Sequence, residues 1–226
     1  MPLAQCNSYK YLGVIFDKNL NWKPHIEYLC QKVSKACGAL VKLRHCVSIN
    51  LLREVYHALI NSYIRYGILV WGTAAKSTIE PLQTLVDRAV KIMTFTHFRR
   101  SNLSPIYECL KILDVQKTFR LETGKYMFKY KNDLLPLNIG NYFQIRRPID
   151  TATMRSLRQR INNGPSLTFR LVSSEEKSIQ SRGEKIWDEF QDPLRNSKSV
   201  NSFKRLLKND LLKCWDFSPP MIWGNE

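Results

Sequence analysis

Residues 24–44 read PHIEYLCQKVSKACGALVKLR, and the spacing of their apolar side chains decides the fold class. Pro24 suits the first turn of a helix, because its missing N–H would have no partner there. Apolar residues recur at intervals of three, four and seven, which is typical of a helix with one buried stripe. The stripe consists of Ile26, Leu29, Cys30, Val33, Cys37, Leu40 and Val41. The stretch predicts a long amphipathic helix from about Pro24 to Arg44.

A second helix is predicted after Ser48, a residue type that suits the N-cap position. Its predicted buried stripe is Leu52, Val55, Tyr56, Leu59, Ile60 and Tyr63. A third helix is predicted to open with a capping box, in which Ser77 and Glu80 satisfy each other's backbone donors. The chain downstream predicts four shorter or less regular helices: one capped by Ser104, one from about Asp114 to Lys131, one over 184–190, and one capped by Ser199.

Residues 9–16, YKYLGVIF, are rich in β-forming side chains and predict a strand that bends at Gly13. The turn residues Asp17-Lys18-Asn19 follow, and Leu167 to Val172 predict another strand. The predicted fold class is mainly α: a helical bundle with a short N-terminal strand or hairpin and a small α+β C-terminal tail.

The 226 residues include 35 Lys and Arg against 19 Asp and Glu, a formal net charge of +16. A net charge of roughly 2–8 is enough for solubility, so the excess favours a polyanion: DNA, RNA or an anionic membrane face. The basic residues are spread along the chain and not gathered in one tail. The pattern predicts a broad basic surface that contacts nucleic acid.

Motifs of catalysis do not occur in the sequence. It has no glycine-rich phosphate loop, no Cys and His spacing typical of zinc, and no Asp-Asp pair for two metal ions. The six cysteines follow no disulfide or metal pattern, which indicates a reducing, intracellular compartment, either nucleus or cytoplasm. The most apolar window, 59–71, is too short to span a bilayer, so no membrane contact is expected. The sequence predicts no catalytic residue and no metal ligand.

Lys32, Lys35 and Lys42 fall together on a face of the first predicted helix, apart from its apolar stripe. Such a face is either the solvated back of a helix or a stripe that contacts phosphates, and the sequence alone leaves both open. With Arg53 and Arg65, these lysines are the candidate phosphate contacts. They are chosen by face and charge.

Several segments resemble non-LTR retrotransposon reverse transcriptases of the jockey type when taken in order. They are Tyr11-Leu12-Gly13-Val14, residues 20–26 (LNWKPHI), Tyr56, Ile64-Arg65-Tyr66-Gly67, Val70-Trp71-Gly72, residues 82–85 and 88–93, residues 182–187 (RGEKIW), Ser199 and residues 202–208 (SFKRLLK). The resemblance spans nearly the whole chain, and it is carried by the order and spacing of the segments. After Trp187, the chain departs from the family pattern at Asp188-Glu189-Phe190.

The resemblance implies that residues 1–22 join a palm to a thumb and that 23–144 form a helical thumb-like domain. The composition changes after Gln144, where five arginines and the run Asn162-Asn163-Gly164-Pro165 predict a basic linker over 145–165. A small C-terminal region, 166–226, is expected after it. Tyr11, Leu12 and Gly13 would be the primer grip, which supports the primer's 3′ end. The fingers and palm, with the paired aspartates and their Mg²⁺, would lie before Met1. No cofactor is therefore expected in this chain.

The sequence thus predicts a fragment of a retrotransposon RNA-directed DNA polymerase that binds a template–primer duplex or hybrid and is inactive as a polymerase alone. Its expected partners are RNA or DNA and the polymerase's palm and fingers. The alternative is a helical protein–protein interaction module co-opted from a retroelement, in which the charge only aids solubility. An enzyme with an unrecognised site is a third hypothesis, and metal-dependent primer extension by the isolated chain would establish it.

Overall fold

The structure of the protein, a computed structural model, describes residues 6–95, 103–136 and 179–213. This part of the chain is mainly helical and starts with a two-stranded antiparallel hairpin, which confirms the predicted fold class. The strand predicted at 167–172 and the basic linker at 145–165 lie outside the described residues.

The elements in chain order are β1 (Ser8–Tyr11), β2 (Val14–Asp17), α1 (Lys23–Leu43), α2 (Ile49–Tyr56), a π-helical turn (His57–Asn61), α3 (Ser62–Arg65), α4 (Ile68–Trp71), α5 (Lys76–Thr94), α6 (Ser104–Leu110), α7 (Val115–Lys131), α8 (Ile179–Asp188), α9 (Asp192–Arg195) and α10 (Val200–Lys213). The chain divides into two compact units, residues 1–122 with 208–226, and residues 123–207. The domain divisions predicted at 22, 144 and 165 stay predictions.

In the first unit, the core lies mainly between α1 and α5, which pack against each other. The buried side of α1 includes Leu29, Val33 and Leu40, and that of α5 includes Leu82 and Val86. Val41 is exposed and does not belong to the predicted stripe, because at 100° per residue it lies a quarter turn beyond the buried Leu40.

Cys37 shows how closely α1 and α5 approach. Its thiol lies 3.7 Å from the carbonyl oxygen of Leu85, and burial raises its pKa. Cys37 is a free thiol. A buried, protonated cysteine acts as a small apolar side chain, so Cys37 contributes to the core.

Three helix caps are present; those at Ser48 and Ser199 were predicted from the sequence, whereas Asp114 was predicted only as the start of its helix. Ser48 Oγ accepts a hydrogen bond from the Leu51 backbone N–H at 3.5 Å. Asp114 Oδ1 accepts one from Lys117 at 2.6 Å, and Ser199 Oγ accepts one from Ser202 at 3.2 Å. Each bond satisfies a backbone donor that the first turn of a helix leaves without a partner.

Two other predicted caps are wrong. α5 begins at Lys76 with Ala75 as its N-cap and no side-chain cap, so Ser77 lies inside the helix. The reason is that Ile79 N–H bonds to the Ala75 carbonyl at 3.1 Å, closing the first turn before Ser77. α6 likewise contains Ser104, because the Tyr107 N–H bonds to the carbonyl of Leu103 at the N-cap.

The buried stripe predicted after Ser48 is wrong in its second half. Leu59 and Tyr63 are 40% and 38% exposed, whereas Ile60 and Ile64 are buried. The cause is the π-helical turn, in which the Ser62 N–H bonds to the His57 carbonyl five residues back. Each residue of this wider turn rotates the helix by less than 100°. Residues spaced four apart, such as Ile60 and Ile64, therefore stay on the buried side.

The second unit contains a cluster of four aromatic side chains, Phe128, Trp187, Phe190 and Phe203. The Phe128 and Phe203 rings stack with their centroids 4.8 Å apart. α8 begins at Ile179, earlier than the helix predicted over 184–190. Gly183 in α8 lies where a Cβ would come within 2.7 Å of Met127 Sδ, so this glycine of the RGEKIW segment allows close packing on α7.

Candidate nucleic-acid interface

The hairpin of β1 and β2 turns through two residues, Leu12 and Gly13. Their φ angles are 45° and 82°, and positive φ at both positions is typical of the type I′ turn that matches a hairpin's twist. Tyr11, Leu12 and Gly13 are all exposed at this tip. The structure therefore brings the three predicted grip residues together on one exposed turn, and their role in supporting a primer stays a prediction.

Tyr66 holds this turn against the helical part of the first unit. Its hydroxyl donates a hydrogen bond to the Leu12 carbonyl oxygen at 2.5 Å, and a Cβ on Gly13 would lie 3.3 Å from its ring. The backbone carbonyl of Tyr66 in turn accepts a hydrogen bond from Trp71 Nε1 at 2.9 Å. Trp71 is fully buried. The exposed turn is thus anchored to a core residue through one tyrosine.

Asp17 holds the connection between the hairpin and α1. Its carboxylate accepts three backbone N–H bonds, from Asn19 at 3.2 Å, Asn21 at 3.1 Å and Trp22 at 2.8 Å. Trp22, at the N-cap of α1, has a φ of 65° in the left-handed region. The carboxylate therefore stabilises a backbone conformation that a non-glycine residue seldom adopts, and this conformation sets the direction in which α1 leaves the hairpin.

His25 lies buried beneath the same connection. Its Nδ1 accepts a hydrogen bond from the Ile15 N–H at 3.3 Å, and its ring lies 5.9 Å from that of Trp71. Burial lowers the pKa of His25, so the imidazole is neutral at neutral pH. The LNWKPHI segment thus supplies buried residues that join the hairpin to α1.

Lys32, Lys35 and Lys42 lie outside the buried side of α1. The buried residues of this helix are His25, Ile26, Leu29, Val33, Ala36, Cys37 and Leu40, whereas Lys35 and Lys42 are exposed and Lys32 is half-buried. At 100° per residue the three lysines fall within an arc of about 80°, along roughly 15 Å of helix. Among the described residues, no carboxylate forms an ion pair with any of them. These three lysines are called the basic stripe below.

Arg53 and Arg65 differ from the lysines because both face carboxylates. Arg65 Nε donates a hydrogen bond to Glu122 Oε1 at 2.8 Å, and the side chains are 42% and 15% exposed. Arg53 Nη2 lies 3.9 Å from Glu54 Oε1. A phosphate would have to compete with Glu122 for Arg65, so this contact is less favourable than one with the basic stripe. Both phosphate contacts stay predictions.

A second basic cluster surrounds His57. Burial is the largest cause of the lowered pKa of His57, and the positive charges of Lys208, Arg53 and Arg65 lower it further, against the opposing effect of Glu54. Lys208 comes from α10, far along the chain. Sequence reasoning did not identify it, because only the fold brings Lys208 near His57.

Lys10 and Tyr28 were also not predicted as site residues. The Lys10 ammonium lies 5.0 Å from the centroid of the Tyr28 ring, and that of Lys32 lies 5.5 Å from the same centroid. Successive side chains of β1 point to opposite faces of the hairpin, so Lys10 lies on the face opposite Tyr9 and Tyr11. The hairpin thereby adds a lysine to the start of the basic stripe.

Within the described ranges, no three His, Cys, Asp or Glu side chains are arranged to hold a metal ion. None of the helices found in those ranges combines the length and apolar character needed to cross a bilayer.

The chain is similar over part of its length to RNA-directed DNA polymerases of mobile elements, which confirms the resemblance to retrotransposon reverse transcriptases at this coarse level. One is the probable polymerase from transposon BS of Drosophila melanogaster, 32% identical over 95 residues, 41% of this chain. Another, from the X-element of the same fly, is 25% identical over 130 residues, 56% of the chain. The polymerase of its mobile element jockey is 28% identical over 88 residues, 37% of the chain.

The chain spans only 10–14% of the length of these relatives. No protein-family model matches it, and no solved structure does. The position of the matched segment within such a polymerase stays a prediction.

Proposed function

We propose that this chain is a fragment of a retrotransposon RNA-directed DNA polymerase that binds a template–primer duplex through its phosphates, as a thumb does, without catalytic residues of its own. The observation that carries the proposal is the basic stripe. Lys32, Lys35 and Lys42 project from one side of α1 with no carboxylate partner among the described residues. The relatives are each named as an RNA-directed DNA polymerase. Their names are the reason for proposing a template–primer duplex as the ligand.

The dimensions of the stripe suit a nucleic-acid backbone. About 15 Å along α1 separates Lys32 from Lys42, and one strand of a B-form duplex carries a phosphate every 3.4 Å or so of its axis. The stripe therefore matches the axial length of about four phosphates. Contacts with phosphates carry no sequence information, so the binding is independent of sequence.

Polymerisation would depend on partners outside this chain. Mg²⁺ would belong to the polymerase's palm, and the described residues offer no cluster of carboxylates that fits it. The part of this chain is to hold the duplex next to the palm and fingers.

Salt dependence tests this proposal directly. With about 4–6 phosphate contacts, the logarithm of affinity falls with log salt at a slope of roughly −4 to −5, a loss of about 250- to 1,000-fold between 50 and 200 mM. Fluorescence anisotropy with labelled DNA duplexes and RNA–DNA hybrids of several sequences measures the slope. A flat salt response, or selective binding of one sequence, would overturn the proposal.

The double variant Lys35→Gln/Lys42→Gln tests whether the stripe is responsible. It should make the slope shallower by roughly 2 and weaken all sequences alike. The matched control is Lys76→Gln/Lys111→Gln, which removes the same charge from two exposed lysines of other elements. Equal losses in both variants would show that net charge alone drives binding and would contradict the stripe.

The protein-interaction alternative is favoured by one observation, the exposed apolar side chains at the hairpin tip. Tyr9, Tyr11, Leu12 and Tyr66 are all more than half exposed, and exposed apolar groups of this size are typical of protein contacts. A protein partner captured by the full chain, and retained after nuclease treatment and in high salt, would support this alternative over the first.

A further inference from the structure

Lys10 and Lys32 reach the same aromatic ring from different elements. Their ammonium groups lie 5.0 and 5.5 Å from the centroid of Tyr28, within the distance at which a cation is attracted to a ring. Lys10 belongs to β1, whereas Tyr28 and Lys32 lie one turn apart on α1. Tyr28 therefore gathers two positive charges at the junction of the hairpin and α1.

The Tyr28 ring is fixed by the core beneath it. It stacks on His25, with ring centroids 6.3 Å apart and planes inclined by 26°. His25 is itself held by its hydrogen bond from Ile15. Because burial lowers the pKa of His25, this imidazole adds no third positive charge. The ring thus presents its two lysines from a fixed position.

Both ammonium groups carry a positive charge and offer only hydrogen-bond donors. Neither lysine forms an ion pair with a carboxylate in the described part of the chain. An anion with several acceptor oxygens, such as a phosphate group, can accept charge-assisted hydrogen bonds from more than one lysine. Tyr28 also falls on the same arc of α1 as Lys32, Lys35 and Lys42, so a phosphate held here continues the basic stripe.

We propose that Lys10, Tyr28 and Lys32 form a phosphate clamp that binds one phosphodiester of the nucleic acid. Lys10 and Lys32 contact the phosphate, and Tyr28 is a positioning residue that holds their ammonium groups. The proposal rests on the proposed function, since it assigns a particular phosphate contact within that interface.

Tyr28→Leu and Tyr28→Phe separate the ring's effect from general packing. The Tyr28→Phe variant keeps the aromatic face, so its affinity for the duplex should equal that of the natural chain. The Tyr28→Leu variant should bind the duplex about two- to fivefold more weakly. In the Lys10→Gln/Lys32→Gln background, Tyr28→Leu should cause no further loss. Lys10→Gln alone should make the salt slope shallower by roughly 0.9. Urea unfolding of each variant confirms that all are folded when binding is compared.

The outcomes separate this inference from the proposed function. Absence of duplex binding by the natural chain overturns both. Salt-dependent duplex binding that Tyr28→Leu leaves unchanged, or weakens equally in the double lysine background, overturns the clamp alone.

A second arm titrates inorganic phosphate against labelled duplex at constant ionic strength. We expect no displacement at concentrations of a few millimolar. The contrary result is that phosphate binds the chain at these concentrations, and that Lys10→Gln abolishes phosphate binding without changing duplex affinity. The clamp would then bind free phosphate, and its assignment to nucleic acid would be overturned.

Discussion

A single carboxylate determines how the hairpin meets α1. Asp17 accepts three backbone N–H bonds in a turn where Leu20 and Trp22 both have positive φ. Asp17→Ala should lower the free energy of unfolding by about 1.5–3 kcal/mol, the range for hydrogen bonds to a charged group. Asp17→Asn keeps one carbonyl acceptor and should lose less.

The control is Lys18→Ala, a change at an exposed neighbour, whose free energy of unfolding should stay within about 0.5 kcal/mol of that of the natural chain. Urea unfolding measures all three, and equal losses for Asp17→Ala and Lys18→Ala would contradict the assignment.

Asp114 makes stability depend on pH in the less usual direction for an acid. Burial raises its pKa, against the opposing effects of the Lys117 backbone bond and charge. A carboxyl whose pKa is higher in the folded chain stabilises it at low pH, and this contribution is lost as the pH rises through the raised pKa. Asp114→Asn removes the ionisation and keeps an acceptor for the cap. It should therefore be more stable than the natural chain at neutral pH.

The measurement is the difference in unfolding free energy between Asp114→Asn and the natural chain, from pH 4 to pH 7. It should grow with pH in favour of the variant. Asp114→Ala is the control for the cap and should be less stable than Asp114→Asn by about 1 kcal/mol at every pH. A constant difference across the range would refute the role of ionisation.

At the scale of elements, the π-helical turn decides which side chains enter the core. Leu59 is 40% exposed and its neighbour Ile60 is fully buried. Ile60→Ala should therefore cost about 2–5 kcal/mol of stability, whereas Leu59→Ala should stay within about 0.5 kcal/mol. Chemical denaturation compares the pair. If Leu59→Ala cost as much as Ile60→Ala, the helix would be regular α and both would belong to the buried stripe.

The helices and their caps differ in how far sequence could predict them. The caps at Ser48 and Ser199 were predicted correctly because a cap is a local bond between a side chain and the next turn. Tyr63 was misplaced because nothing local marks a π-helical turn. Packing of Ile60 and Ile64 into the core selects that turn over the regular helix, and packing involves residues far apart in the sequence.

For the molecule as a whole, the net charge of +16 predicts stabilisation by a polyanion. A ligand that binds only the folded chain stabilises it by about 2.7 kcal/mol at one hundred times its Kd, which corresponds to roughly 5–10 °C in Tm for a chain of this size. We expect such a rise with duplex DNA at 50 mM salt and its near disappearance at 300 mM. Differential scanning fluorimetry measures it, with a neutral polymer as the control. An equal rise at both salt concentrations would contradict phosphate binding.

The candidate site could be predicted from the sequence only in part. Composition and the face of α1 suffice to find Lys32, Lys35 and Lys42, since these depend on counting and helical period alone. The ion pair of Arg65 with Glu122 and the approach of Lys10 to Tyr28 depend on how separate elements meet. Sequence therefore predicted which charges exist, and the structure determines which are already paired.

The π-helical turn also fixes the chain's length between Ser48 and Tyr66. A deletion within the turn itself would restore regular α geometry and keep the phase of the elements beyond it, because the turn already holds one extra residue. A deletion in the α-helical part, Ile49–Tyr56, would instead rotate everything beyond it by about 100° and draw it back by about 1.5 Å. The Tyr66 hydroxyl, bonded to the Leu12 carbonyl, would then swing out of reach and release the hairpin. Exposed positions of this segment are free to vary in residue type, but a deletion in its α-helical part separates Tyr66 from the hairpin tip that it holds.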